Sequence, residues 1–271
     1  MVEPPVIIKV GGSVLTDKKR IDKVIIREDV IDYVASEIRS LLDAGIRVAL
    51  VHGVGTVGHL PVKKYELYKG VTRKEQLIKL TYAQNRVNEL RQMFLNALEK
   101  HGVPAVKFYP SSLVVQENGR IVKFFSDGIK RFYEVGFVPV LSGDMTADTN
   151  DALKLSVCSG DQLAFALADL LGSKRIVYGV DVDGVYDKNG DVVEKIKFAE
   201  IEQVIKGEEI GTGAKIDVTG GMKGKLLEIA RHGDFFKRGG EVWILSLLRK
   251  GTLYRALMDG SGIFTRIVWQ Y

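Results

Sequence analysis

The stretch Val6–Ser13, with the sequence VIIKVGGS, decides how the chain folds. A short apolar run that ends in a glycine pair is typical of a buried strand that stops at a tight turn. The run Arg47–His52 likewise leads into the glycine-rich segment Gly53–Gly58. A third run, Val138–Leu141, leads into Ser142–Asp144. Glycine lets backbone N–H groups approach an anion closely, so these turns predict an anion site, with ordinary tight turns as the alternative.

Segments of helical periodicity alternate with these strands. Apolar residues recur at helical spacing in Arg27–Ala44 and Thr72–His101, each of which a glycine follows. Further helices are predicted from Ser159–Asp161 onward and over Met222–Arg231, and further strands over Val103–Phe108, Lys174–Val180 and Glu241–Leu247. Strands that alternate with helices predict a mostly parallel sheet between helical layers. The polar, glycine-rich stretch Lys206–Thr219 is predicted to be a mobile surface loop.

The composition excludes several classes of protein. With 46% hydrophobic residues and a net charge of +5 over 271 residues, the chain is not intrinsically disordered. Its single cysteine, Cys158, excludes a disulfide scaffold. The sequence has no membrane-spanning run and no signal-peptide pattern, which favours a soluble cytoplasmic enzyme. Because basic and acidic residues are interspersed, we expect no nucleic-acid partner and no membrane partner.

Charged residues near the glycine turns are the candidate site residues. Lys9 lies within an apolar strand, where a lysine is costly unless it meets an anion or a carboxylate. Asp161, at the start of a helix, is a candidate partner, with simple helix capping as the alternative. Lys18 and Lys225 follow glycine-rich segments and would otherwise be solvated surface lysines. His59 closes the second glycine segment, where a structural histidine is the alternative.

Neither standard nucleotide fingerprint is present. The sequence has no G-x-x-x-x-G-K-[ST] motif. Gly53–Gly58 matches G-x-G-x-x-G, but no acidic residue ends a strand about 20 residues later, as a dinucleotide site requires. The histidines and the cysteine have no zinc-ligand spacing, so we predict no protein-bound structural metal.

Taken together, these residues make the chain resemble the amino acid kinase family, and most closely its isopentenyl phosphate kinase branch. The motifs typical of the family are Lys9–Ser13, Ser159–Asp161, Asp181–Val185 and Asp217–Lys225. The motifs typical of the branch are Gly58-His59, Lys64-Tyr65, Pro104–Val106 and Pro110–Ser112. The sequence departs from the branch at Val54, where a third glycine is usual.

The resemblance implies a three-layer αβα sandwich and a single domain over residues 1–271. A phosphoryl-acceptor lobe would span residues 1–150, and an ATP-binding lobe residues 151–271. The implied activity is ATP-dependent phosphorylation of isopentenyl phosphate in isoprenoid biosynthesis, with Mg²⁺, by a homodimer. Two alternatives stay open: a kinase of another phosphate or phosphonate, such as fosfomycin, and a nucleotide-binding regulator without turnover.

The resemblance also implies site residues. Those implied to bind ATP are Lys9, Gly11, Gly12, Ser13, Gly55, Asp181, Asp183, Gly220, Gly221 and Lys225. Those implied to bind the acceptor phosphate are Val54, His59 and Gly160. Those implied to be catalytic are Lys9, Lys18, His59, Asp161 and Lys225. The candidates for lining the acceptor's tail, with ordinary core as the alternative, are Leu77, Leu80, Tyr82, Met93 and Phe94.

The catalytic residues have distinct implied roles. Lys9 contacts the β- and γ-phosphates and is oriented by Asp161, while Lys18 stabilises the phosphoryl group in transfer. Lys225 neutralises charge on the leaving ADP, and His59 donates a hydrogen bond to the acceptor phosphate. The second pKa of a phosphate monoester is about 6, so no general base is required at neutral pH.

Overall fold

The computed structural model describes residues 3–17, 24–208 and 220–270. The strands, in chain order, are β1 (Val6–Val10), β2 (Thr16–Asp17), β3 (Ile25–Ile26), β4 (Val48–His52), β5 (Ala105–Lys107), β6 (Val114–Glu117), β7 (Arg120–Phe124), β8 (Val138–Ser142), β9 (Asp144–Asp148), β10 (Leu155–Cys158), β11 (Arg175–Val180), β12 (Lys195–Lys197), β13 (Glu241–Ser246) and β14 (Phe264–Val268).

The α-helices, in chain order, are α1 (Gly12–Leu15), α2 (Glu28–Asp43), α3 (Gly55–Lys64), α4 (Glu75–Lys100), α5 (Pro110–Leu113), α6 (Asp127–Val135), α7 (Gly160–Leu171), α8 (Ile201–Lys206), α9 (Gly220–Ile229), α10 (Gly233–Lys237) and α11 (Thr252–Asp259). Two single turns of 3₁₀-helix cover Leu67–Lys69 and Phe198–Glu200. Among these described helices, none has both the length and the apolar character needed to cross a membrane.

An eight-stranded sheet forms the centre of the fold, in the order β12-β14-β13-β11-β1-β4-β8-β5. The strands from β13 to β5 in this order pair in parallel, and β14 pairs antiparallel with β13. Every strand that the sequence predicts belongs to this sheet. The prediction of a mostly parallel sheet is therefore confirmed.

Helices cover both faces of the central sheet, because its buried strands are apolar on both sides. Ile7 belongs to the core under α7 and α9, while Ile8 and Val10 belong to the core under α2, α4 and α11. The predicted three-layer αβα sandwich is thus confirmed. By the two-residue alternation of a strand, Lys9 shares the face of Ile7 and points toward α7.

A second sheet, in the order β10-β9-β6-β7, does not follow from the sequence patterns. Its strands are short and rich in polar residues, so they lack the apolar runs that mark buried strands. Hydrogen bonds tie the turn at Gly119 to α7: the side-chain nitrogen Nε2 of Gln162 donates to the Gly119 carbonyl oxygen at 2.8 Å. The second sheet therefore packs against the same helix that Lys9 faces.

The structure bears on two of the predicted loops. Gly53–Gly58 is not a simple turn, because α3 begins at Gly55 with Val54 as its N-cap residue. Val54 has φ −88° and ψ −11°, a right-handed conformation that valine accepts without strain. Of the predicted loop Lys206–Thr219, Lys206 ends α8, and residues 209–219 lie outside the described residues.

Candidate functional site

A cavity of about 480 Å³ lies at the carboxyl ends of β1, β4 and β8. In parallel sheets this edge is where ligands bind. The helices α1, α3 and α7 begin there, and their capping residues are Gly11, Val54 and Ser159. Helix N-termini carry N–H groups without intrahelical acceptors and partial positive charge, so this end of the cavity attracts anions.

Lys9 and Asp161 form a buried ion pair at this end of the cavity. The Lys9 ammonium donates to the Asp161 carboxylate, and the exposed fractions of the two side chains are 8% and 16%. The ammonium also lies 5.4 Å from the ring centre of Tyr178. The Asp161 amide donates to the Ser159 hydroxyl at 3.0 Å, which completes the helix cap. The structure thus supplies the carboxylate that a lysine in an apolar strand requires.

The first two glycine segments touch each other. A Cβ on Gly12 would lie 2.4 Å from the Gly55 nitrogen, and one on Gly53 would lie 2.3 Å from the Gly12 nitrogen. Thr16 joins the two segments, since its hydroxyl donates to the Gly12 carbonyl and accepts from the Thr56 amide, both at 2.9 Å. Glycine is required at these positions because two backbones meet there.

We expect Gly53→Ala to destabilise the protein by about 1–3 kcal/mol, as overpacking of a close contact does. The added Cβ meets backbone atoms of Gly12, which cannot yield as a flexible side chain would. Urea denaturation measures the change in free energy of unfolding. Gly128→Ala is the control, because a Cβ at this position in α6 meets no atom within 4 Å. Equal stabilities of the two variants would contradict the close approach.

The structure corrects one predicted role, that of Gly11. Its amide donates to the Gly179 carbonyl oxygen at 2.8 Å and so extends the sheet. That N–H group is therefore engaged within the protein, and Gly11 does not line the described cavities. Glycine at position 11 allows the two backbones to approach each other closely, since a Cβ there would lie 2.7 Å from the same carbonyl oxygen.

Both polar and apolar residues line the cavity. Among the predicted residues, its lining includes Lys9, Gly12, Ser13, Val54, Gly55, His59, Gly160, Asp161, Gly221 and Lys225. Lys18 lies outside the described residues. Gly220 is the first residue of α9. Most of the cationic and glycine residues that the sequence singles out therefore meet around one cavity.

The apolar part of the lining consists of residues that the sequence analysis did not identify. They are Val62, Tyr68, Ala83, Val87, Met145 and Val157. None of the five tail candidates lines this cavity: Leu80 and Phe94 are buried, as the core alternative expects, Met93 is partly buried, and Leu77 and Tyr82 are at least half exposed. The helix α4 does contribute to the lining, through Ala83 and Val87. Helical periodicity separates buried from exposed positions, but it cannot show which buried positions border a cavity.

Polar groups also lie on the α4 side of the cavity. The Asp144 carboxylate lines it and accepts from the Met145 amide at 2.8 Å and the Gln84 side chain at 3.3 Å. The fully buried Arg91 guanidinium approaches that carboxylate to 3.8 Å and lies 4.5 Å from the ring centre of Tyr109. Burial lowers the pKa of Arg91, and the nearby Asp144 carboxylate opposes that shift. Asp144 belongs to a predicted glycine turn, but no sequence pattern connects it to Arg91.

A second cavity, of about 230 Å³, adjoins the first and shares Ser13, Gly221 and Lys225 with it. Asp181 lines it, and its carboxylate accepts from the Ser13 hydroxyl at 2.7 Å. Asp183 does not line it; its carboxylate accepts from Arg249 at 2.7 Å and from the hydroxyl of Tyr186, a lining residue, at 3.4 Å. The structure therefore brings Asp181, but not the Asp183 carboxylate, to this cavity.

Three buried titratable groups near the cavity, Cys158, Tyr178 and His52, are neutral at neutral pH. Burial raises the pKa of the Cys158 thiol to about 12 and raises the pKa of Tyr178 well above its usual value. Burial also lowers the pKa of His52 to about 4, so its imidazole is uncharged at neutral pH. His52 therefore adds no positive charge to the site. Among the described residues, no group of three or more His, Cys, Asp and Glu side chains could hold a metal ion.

Comparisons with known proteins agree with this geometry. The model of the amino acid kinase family matches residues 4–234. The chain is 33% identical to the isopentenyl phosphate kinase of Methanothermobacter thermautotrophicus, over 98% of this chain and 100% of that protein. It is 32% identical to the isopentenyl phosphate kinase of Methanocaldococcus jannaschii, over 83% of this chain and 86% of that protein.

A solved structure is also similar over nearly the full length. An X-ray structure of isopentenyl phosphate kinase superposes with a TM-score of 0.78 and 30% identity, covering 97% of this chain and 99% of that chain. The family model, the sequence identities and the fold all indicate the same family. The chain belongs to the amino acid kinase family.

Proposed function

We propose that the protein transfers the γ-phosphoryl group of ATP to isopentenyl phosphate and so forms isopentenyl diphosphate, as a step of isoprenoid biosynthesis. The observation that carries this proposal is the mixed lining of the cavity. Lys9, His59 and Lys225 contribute cationic and hydrogen-bonding side chains to that lining, and Val62, Ala83 and Val87 contribute apolar ones. A phosphate monoester with a short hydrocarbon chain has the same division between a charged head and an apolar tail.

The two adjoining cavities suit two substrates that react with each other. Because Lys225 borders both, it can contact the phosphates between the acceptor and the nucleotide. We place the acceptor in the larger cavity and the ATP phosphates along Ser13 and Gly221, toward the smaller one. Phosphoryl transfer depends mainly on positioning and on stabilising charge on the phosphoryl oxygens. The shared lysine supplies such a charge where the two substrates meet.

Each cationic residue then has a defined task. Lys9, held by Asp161, offers its ammonium to the phosphoryl group that moves. His59 holds the acceptor phosphate by donating a hydrogen bond, and the amides at the start of α3 and α7 add to this. The acceptor oxygen is already largely ionised at neutral pH, so it attacks without a base. Lys18 lies outside the described residues, and its role in stabilising the charge of the transition state stays a prediction.

Magnesium would enter the site with the nucleotide. The described residues hold no acidic cluster that could bind a metal ion alone, whereas Mg²⁺ commonly binds through one or two carboxylates plus substrate phosphates. The Asp181 carboxylate, which lines the smaller cavity, is the group placed to assist. When bound, the ion neutralises charge on the β- and γ-phosphates of ATP.

An acceptor panel tests the proposal. The protein, with Mg-ATP, is offered isopentenyl phosphate, fosfomycin and N-acetylglutamate in turn, and ADP release is measured with a coupled assay. We expect the highest kcat/KM with isopentenyl phosphate, because the apolar side chains around Val87 can bury its hydrocarbon chain and offer no hydrogen bonds to a polar acceptor. If fosfomycin were the best acceptor, the proposed substrate would be wrong, but the proposed phosphoryl transfer from ATP would still hold. Binding of ATP without turnover of any acceptor would favour the regulatory alternative.

The family relationship also supports proposals on organisation. We propose an acceptor lobe over residues 1–150 and an ATP-binding lobe over residues 151–271, in a cytoplasmic homodimer. Exposed apolar side chains on α4, Leu77, Ile78 and Tyr82, offer a surface for self-association. Sedimentation should then give twice the chain mass of 30.0 kDa, and a mass of one chain would contradict the dimer.

A further inference from the structure

A partly buried ion pair connects the second sheet with the helix that carries Lys225. The Arg120 guanidinium on β7 donates twice to the Glu228 carboxylate on α9, at 2.6 and 2.8 Å. Only 10% of the Glu228 side chain is exposed. Paired hydrogen bonds of this kind fix the relative orientation of the two groups as well as their distance. The pair spans 108 positions of the sequence and joins two elements that no short connection links.

Glu228 has a second partner that extends the contact to α7. The His232 ring nitrogen Nε2 donates to the Glu228 carboxylate at 2.9 Å. The imidazole stacks on Phe165 of α7 with ring centres 3.7 Å apart and planes inclined by 5°. The Arg120–Glu228–His232 cluster therefore attaches α9 to both β7 and α7.

The electrostatics of the cluster favour one fixed arrangement. Burial alone would raise the pKa of Glu228, but hydrogen bonds from His232 and Arg120 outweigh it and hold that pKa at about 2. The carboxylate is therefore ionised at any physiological pH. Removing Arg120 would leave a buried charge with one partner fewer, which is costly.

We propose that the Arg120–Glu228–His232 cluster positions α9 so that Lys225 borders both cavities. Glu228 lies three residues after Lys225, within the same ten-residue helix. A shift of Glu228 by one ångström therefore moves Lys225 by a similar amount. These are positioning residues: none of the three lines the two cavities that we assign to the substrates. The inference rests on the proposed function for the role of Lys225.

The chain offers a matched control for this ion pair. Arg175 on β11 donates to Glu241 on β13 at 2.6 and 2.9 Å. The exposed fractions of these two side chains are 37% and 14%, against 38% and 10% for Arg120 and Glu228. The control pair lies at the amino ends of its strands, at the opposite sheet edge from the cavities. It therefore has a similar environment but no contact with α9.

The experiment compares Arg120→Gln with Arg175→Gln. We expect both to lower the melting temperature, but only Arg120→Gln to lower kcat, by about tenfold or more, since a misplacement of 1 Å can cost about 100-fold. The KM for the acceptor should change less than kcat. Arg120→Lys should have a higher kcat than Arg120→Gln. The double variant with the charges exchanged, Arg120→Glu with Glu228→Arg, should have a higher kcat than either of its single variants.

Hydrogen exchange gives a readout that does not need activity. Amides of residues 220–232 should exchange faster in Arg120→Gln, and at the wild-type rate in Arg175→Gln. Equal kcat values for the two variants, or equal exchange in that segment, would overturn the positioning role. Should the wild-type protein phosphorylate no acceptor, the proposed function fails, and the exchange comparison alone decides whether the cluster positions α9.

Discussion

Lys9→Met is expected to lower kcat by about 10²–10³-fold, the typical loss when one group that stabilises transition-state charge is removed. Methionine keeps the length and the apolar stem of the side chain but removes the ammonium that contacts Asp161. The buried carboxylate then lacks its ionic partner, so stability should fall as well. Steady-state kinetics and urea denaturation measure the two effects separately.

A double variant separates the two consequences of losing Lys9. Lys9→Met combined with Asp161→Asn contains no unpaired buried charge, so it should regain much of the lost stability. It should not regain kcat, because the ammonium is still missing. Recovery of kcat together with stability would mean that Lys9 acts only in folding. A kcat within about threefold of wild type in Lys9→Met alone would equally contradict its catalytic role.

His59→Ala is expected to lower kcat/KM for isopentenyl phosphate by about 10- to 100-fold, the range of a hydrogen bond to a charged group. His59 lines the larger cavity and lies in the first turns of α3. His59→Gln retains a hydrogen-bond donor and should lose less. His101→Ala is the control, since His101 contacts Asp32 and does not line the cavities. Unchanged kcat/KM in His59→Ala would remove His59 from the acceptor site.

Much of the fold can be predicted from the sequence, because apolar runs mark the six strands from β13 to β5 that pair in parallel, although not β12 and β14 at the edge of the sheet. The runs at Val6–Val10 and Val48–His52 are buried on both faces, which leaves no polar alternation to confuse them with surface strands. The second sheet could not be found in this way. Strands such as Arg120–Phe124 mix charged and apolar residues and are held mainly by tertiary contacts.

The candidate site was predictable where a residue is chemically out of place. Lys9 stands in an apolar strand, and the glycine pair that follows it allows a close backbone approach. The apolar wall could not be predicted, because Ala83 and Val87 have the same helical spacing as core residues. Pairs such as Arg91 with Asp144, or Arg120 with Glu228, depend on contacts between distant segments, and a single sequence carries no signal for them.

The most direct test of the central claim is ³¹P NMR of the protein with Mg-ATP and isopentenyl phosphate. The account predicts that the monoester resonance disappears, while a pair of diphosphate resonances and those of ADP grow in equal amounts. No diphosphate resonance, in a sample where ATP binding has been demonstrated, would contradict it. The cavity lined by Val54 and His59 would then have to serve a different anion.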